Sequence, residues 1–127
     1  SPRDPVWEYV LSSWQADECM DLMSSRVAAI GHSHVALWFG RAPSGEVDGG
    51  QAADSDEADL SAGEWLINPG SVGQPRDGDP RGCYVILDEE EGRLVRYRVD
   101  YDVERAASKI LKAGLPEFLA NRFSRGR

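Results

Sequence analysis

The sequence predicts an α/β sandwich, in which a mainly antiparallel sheet of about five strands is backed by a helix over residues 102–113. Three patterns carry this expectation. Short apolar runs stop at glycines, an alternating strand pair flanks an acidic turn, and the apolar period changes from two residues to about 3.6 after Tyr101.

The elements follow in chain order. Ser1-Pro2-Arg3-Asp4-Pro5 leads into residues 6–11, which suit either a helical turn or a short extended piece. Trp14, Met20, Leu22 and Met23 fit a short helix over residues 14–25, with Ser13 as its N-cap. Residues 26–30 form a buried strand stopping at Gly31, and residues 35–39 form a second, closed by Gly40 and Pro43. Residues 44–61 carry six carboxylates, three glycines and no lysine or arginine, so they read as a long solvated loop. A calcium loop would need an Asp-x-Asp-x-Asp-Gly order and a closing glutamate, and these residues lack it. A strand over residues 64–68 runs into Pro69-Gly70-Ser71, and residues 72–82 form a glycine- and proline-rich loop.

Residues 83–87 and 93–99 then make a hairpin across the 88–92 turn. Val95, Tyr97 and Val99 alternate with Arg96 and Arg98, which predicts one apolar face and one wet face. Val103, Ala106, Ala107, Ile110 and Leu111 share one helical stripe between an Asp102 N-cap and a Gly114 stop. Pro116 opens a second short helix before a basic tail. Trp7, Trp14, Trp38 and Trp65 read as core or interface anchors.

Composition narrows the function classes. The 127 residues suffice for one modest core, and 41% hydrophobic content with a mean hydropathy of −0.46 is that of a globular domain. The longest apolar run, residues 35–39, is far short of the ~20 residues that span a bilayer, and no basic region precedes an apolar stretch at the N-terminus. No membrane partner or export signal is expected, and the two cysteines read as free thiols of a cytoplasmic protein. A net charge of −8 argues against coating nucleic acid, which takes a basic face. A phosphorylated substrate must therefore be met by something other than bulk positive charge.

Two histidines, His32 and His34, are the chain's whole complement, and they follow a glycine turn after a buried strand. Two apart in extended backbone, they project to one side, which suits metal coordination. The same spacing suits a hydrogen-bonded pair at a strand end equally well. Asn68-Pro69-Gly70-Ser71-Val72-Gly73-Gln74-Pro75-Arg76 is also delivered from a strand end. Its glycines let backbone N–H groups approach a ligand, and Arg76 can give two parallel hydrogen bonds to phosphate. Asn68, Gly70, Ser71 and Arg76 are the candidate substrate-binding residues. Asp77 and Asp79, beside arginines, fit solvent-screened pairs better than support of a metal site.

Gly31-His32-Ser33-His34, followed about 30 residues later by Asn68-Pro69-Gly70-Ser71, resembles the C-terminal part of calcineurin-like metallophosphoesterases, and most closely their compact bacterial and archaeal branch. The matches run from Arg26 to Val99 apart from the acidic loop, and the opening Ser1-Pro2-Arg3-Asp4-Pro5 resembles the segment after a metal-binding histidine. The resemblance implies a four-layer αββα fold, of which this chain is the C-terminal half, a single partial domain over residues 1–127. It also implies hydrolysis of phosphate mono- or diesters or anhydrides at a centre of two divalent metal ions (manganese, iron, zinc or nickel). His32 would serve one ion and His34 the other. The family's Asp-x-His, Gly-Asp and Gly-Asn-His elements have no match in these residues, so the fragment is expected to be inactive alone and no catalytic residue is assigned. The implied partners are a phosphorylated small molecule or phosphoester, the missing N-terminal half and, through the sheet face left bare, a second copy of the chain. A scaffold of the same fold that binds protein partners is the alternative.

Overall fold

The computed structural model describes residues 1–4, 6–51 and 56–127. Its order is α1 (Ser13–Met20), β1 (Val27–Ala29), β2 (Ala36–Arg41), β3 (Val47–Gln51), β4 (Glu57–Asp59), β5 (Glu64–Pro69), β6 (Gly82–Asp88), β7 (Arg93–Val99), α2 (Val103–Lys112), α3 (Glu117–Asn121) and a 3₁₀ turn (Phe123–Arg125).

Two sheets form, rather than the single sheet expected. One has the order β1-β5-β2-β3, with β1 parallel to β5 and the other pairs antiparallel; the other, β4-β7-β6, is antiparallel throughout. Alternation along β2 and β5 divides the core. Leu37, Phe39 and Leu66 pack with Val10, Ala16, Cys19 and Met20 on the α1 side. Trp38, Trp65 and Ile67 face the other way, onto Leu60, Leu94 and Val85 around the second sheet. Helix, sheet and sheet thus lie in three layers within this chain, and the outer face of the second sheet leaves Ile86, Tyr97 and Val99 52%, 40% and 48% exposed.

Several elements depart from expectation for identifiable reasons. The acidic stretch holds two strands: β3 through its antiparallel ladder to β2, and β4 through its ladder to β7, where Glu57 reaches Arg93 at 2.7 Å and Asp56 reaches Arg96 at 2.9 Å. Residues 52–55, including the Asp54 counted in that loop, lie outside the described residues. Helix α1 starts one residue earlier than predicted, with Ser12 as its N-cap, and ends at Met20. Helix α2 keeps its predicted limits, its Asp102 cap bonding Arg105 N–H at 2.8 Å, but it buries no residue fully and its main contacts are α3 and the 3₁₀ turn. The helix backing the first sheet is α1, not α2.

The hairpin forms as predicted, with its faces exchanged. Tyr97 and Val99 point outward, 40% and 48% exposed, whereas the Arg96 and Arg98 side chains turn inward at 7% and 13%. Arg96 lies over the Trp38 ring, 5.3 Å from its centroid, and pairs with Asp56. Arg98 pairs with Asp77 at 2.6 Å. Paired guanidinium groups can be buried at an acceptable cost, and two loop carboxylates here outweigh the simple alternation rule. Of the tryptophans, Trp38 and Trp65 are half-buried, while Trp7 and Trp14 stand 75% and 66% exposed. No helix among the described residues is long and apolar enough to cross a membrane.

Candidate functional site

Parallel pairing sets the C-terminal ends of β1 and β5 side by side, and Ile30 N–H extends the pairing to Ile67 O at 2.8 Å. The histidine turn leaves one end and the 70–76 loop leaves the other. In open α/β sheets this is the edge where ligands are bound.

The turn is not extended as the sequence suggested. His32 and His34 both have positive φ, 73° and 60°, a left-handed conformation costly for residues with a Cβ and held only where the surroundings impose it. Here the constraint is visible. Asn68, 1% exposed, donates from Nδ2 to Gly31 O at 3.1 Å and to Ser33 Oγ at 2.9 Å, while its Oδ1 accepts from Gly70 N–H at 3.0 Å. One carboxamide therefore ties both loops together. Ser33 Oγ also accepts from Val35 N–H, and Arg76 N–H donates to His34 O at 3.0 Å. Asn68 thus sits beneath the loop as a fastener, with its hydrogen-bonding atoms already engaged.

Each imidazole has its own support. His34 Nδ1 lies 2.9 Å from Gln74 O. A carbonyl can only accept, so Nδ1 is the donor, and it is Nε2 that the tautomer with this bond presents to a ligand. The His32 ring stacks on Tyr9, with centroids 4.3 Å apart and planes 19° from parallel.

Ser71 shapes the loop from within: its Oγ accepts from Gly73 and Gln74 N–H, and its carbonyl accepts from Cys83 N–H. Gly70, at φ 84°, is fixed as glycine by space as well as conformation, since a Cβ there would lie 3.0 Å from Ala36 Cβ and 3.1 Å from Cys83 Cβ. Arg76 bonds Gln74 Oε1 through Nη2, and its buried Nε has no hydrogen-bond partner among the described residues.

The expected pair of metal ions is corrected by the donor set. Among the described residues no group of three or more His, Cys, Asp or Glu side chains is placed to hold a metal ion. Two imidazoles fall short of the roughly four donors a single site takes. The nearby loop carboxylates are committed elsewhere. Asp77 has a fully buried side chain that accepts from Ala36 N–H and pairs with Arg98, so it is not the solvent-screened partner expected. Hydrogen bonding from Arg81 holds the Asp79 carboxyl down to about 2 despite partial burial. A cavity of about 640 Å³ opens beside these groups, lined in part by Gln51, Asp79, Arg81, Arg96 and Arg98, and its arginines are all engaged by carboxylates.

Sequence reasoning found both loops but missed Tyr9 and the Gln74 carbonyl. Tyr9 lies 23 positions before its partner with no spacing to link them, and a backbone carbonyl leaves no mark in residue identity.

Comparison with known proteins places this geometry. A protein of Methanocaldococcus jannaschii described as uncharacterized is 36% identical over 131 aligned residues, covering all of this chain and 49% of that protein. The crystal structure of a metallophosphoesterase from Sphaerobacter thermophilus superposes with a TM-score of 0.91 at 37% identity, covering all of this chain and 53% of that one. A hypothetical protein from Pyrococcus horikoshii shares the fold, with a TM-score of 0.70 at 18% identity over 44% of its length. The chain thus spans about half the length of the relatives it matches. Residues 12–92 match the model of the calcineurin-like phosphoesterase superfamily domain. With that match over most of its length, the chain belongs to the calcineurin-like phosphoesterase superfamily.

Proposed function

We propose that this chain is the histidine-bearing C-terminal portion of a phosphoester hydrolase that acts on a phosphate ester or anhydride. The carrying observation is the fastening of the two loops: Asn68 joins the His32–His34 turn to the loop bearing Gly70, Ser71 and Arg76, at the edge where β1 and β5 end. In this reading His32 and His34 contribute imidazole donors to a reaction centre completed outside these residues, and His34 offers Nε2. Gly70, Ser71 and Arg76 form a wall for the phosphoryl group, with Asn68 positioning that wall from below. Two imidazoles leave the centre incomplete, so the chain alone is inactive. Its partners are then a phosphorylated substrate and the rest of the domain. The two free, buried thiols suit a reducing cytoplasm.

The scaffold reading is favoured by one observation, the exposure of Trp7 at 75% and Trp14 at 66%, which are typical anchors of protein contacts. Turnover separates the two. The complete protein and the 127-residue chain are assayed side by side on p-nitrophenyl phosphate and bis-p-nitrophenyl phosphate. Turnover by the complete protein alone supports the hydrolase, and inactivity of the complete protein on both esters overturns it in favour of the scaffold.

A further inference from the structure

We infer that Tyr9 is a positioning residue for His32, fixing the imidazole plane from a segment the sequence motifs do not include. This inference rests on the reading that His32 belongs to the reaction centre. The rings are stacked, 4.3 Å between centroids and 19° between planes, slightly closer than the roughly 4.5–7 Å of most aromatic pairs. It is also built rather than incidental, because Tyr9 is fastened on both sides. The next residue, Val10, is 1% exposed in the core beside Met20 and Leu37. Gln15 closes a bracket over the same peptides, donating from Nε2 to Tyr9 O at 3.0 Å and accepting Leu11 N–H at Oε1 at 3.0 Å. The preceding Glu8 is held by Arg3 and Ser1.

His32 needs such support more than His34 does. The His34 ring is oriented by Gln74 O, whereas among the described residues no hydrogen bond to the His32 imidazole is found, and that residue is exposed at the tip of a left-handed turn. The Tyr9 ring covers one face of the imidazole and leaves both nitrogens at the edge. Its hydroxyl is not needed for this, so phenylalanine should serve equally well. An aromatic pair's attraction beyond simple burial corresponds to about a two- to tenfold bias toward the stacked orientation.

The test uses the complete protein with Tyr9→Phe, Tyr9→Leu and His32→Ala, read by NMR and by steady-state hydrolysis of bis-p-nitrophenyl phosphate. Stacking displaces the His32 ring-proton resonances upfield. Tyr9→Phe should keep that displacement and the wild-type kcat. Tyr9→Leu should abolish the displacement, leave the His34 ring resonances in place and lower kcat about two- to tenfold at little-changed KM. A Tyr9→Leu protein with unchanged His32 resonances overturns the stack. Loss of the displacement with kcat intact, while His32→Ala is inactive, overturns the positioning role alone. Full activity in His32→Ala overturns the underlying functional reading instead.

Discussion

Replacing Asn68 with alanine tests the fastening of the two loops. The carboxamide makes three hydrogen bonds, at 3.1, 2.9 and 3.0 Å, across loops 37 and 35 residues apart in sequence and to Gly70 close by. Gly31 is exposed, so its carbonyl can turn to water once the amide is gone. Ser33, 4% exposed, and the half-buried Gly70 N–H cannot do so as readily. Two lost bonds at about 1 kcal/mol each, with part of the desolvation penalty of the groups left bare, give a loss on the order of 2–4 kcal/mol for Asn68→Ala. Asn68→Asp should be at least as destabilising as alanine, since it keeps the acceptor for Gly70 but buries a carboxylate oxygen against the acceptor Gly31 O. Urea unfolding at neutral pH measures the loss, and amide exchange at Gly70 and Val35 locates it. A loss under about 0.5 kcal/mol for Asn68→Ala, or one that leaves those amides as protected as before, would refute the reasoning.

Other substitutions probe the electrostatics and burial around the site. Asp77→Ala strands the Arg98 guanidinium, whose remaining carboxylate, Asp79, is 3.8 Å away; urea unfolding should show a loss of about 3 kcal/mol, as for other half-broken buried pairs. The Asp79 carboxyl is depressed to about 2 by Arg81, so its contribution is fully present above the unfolded value near 4 and fades as pH falls toward 2. Wild type should therefore lose stability more steeply than Asp79→Asn between about pH 4 and 2, and parallel profiles there would contradict the assignment. Burial pushes both the Cys19 and the Cys83 thiol up, so neither should react with a disulfide reagent at about pH 8 until denaturant opens the fold.

What could be read from the sequence was whatever residue identity and period record. The Gly31 stop, the Asn68-Pro69-Gly70-Ser71 run and the 93–99 alternation gave both loops and the hairpin. The orientation of that hairpin could not be read this way. Arg96 and Arg98 face inward because Asp56 and Asp77 arrive from distant loops to neutralise them, a long-range pairing that a strand pattern does not carry. β4 escaped notice for a related reason, since a run of carboxylates looks solvated until its arginine partners are known, and β3 because its Asp48-Gly49-Gly50 centre carries no strand pattern. The histidines were found by their spacing, but extended backbone was the wrong basis for placing them together. Left-handed φ at both positions, imposed by Asn68 and Ser33, governs their placement. The further metal ligands that the resemblance implies belong to motifs with no match in these residues, and the nearby Asp77 and Asp79 do not stand in for them because arginines hold both.

The central claim, that His32 and His34 serve phosphoester hydrolysis, is tested most directly by kcat/KM of the complete protein toward bis-p-nitrophenyl phosphate, with His32→Ala and His34→Ala measured beside wild type. Each substitution should lower kcat/KM on the order of a hundredfold or more while the protein stays folded by circular dichroism. Wild-type kcat/KM in both substituted proteins would contradict the account.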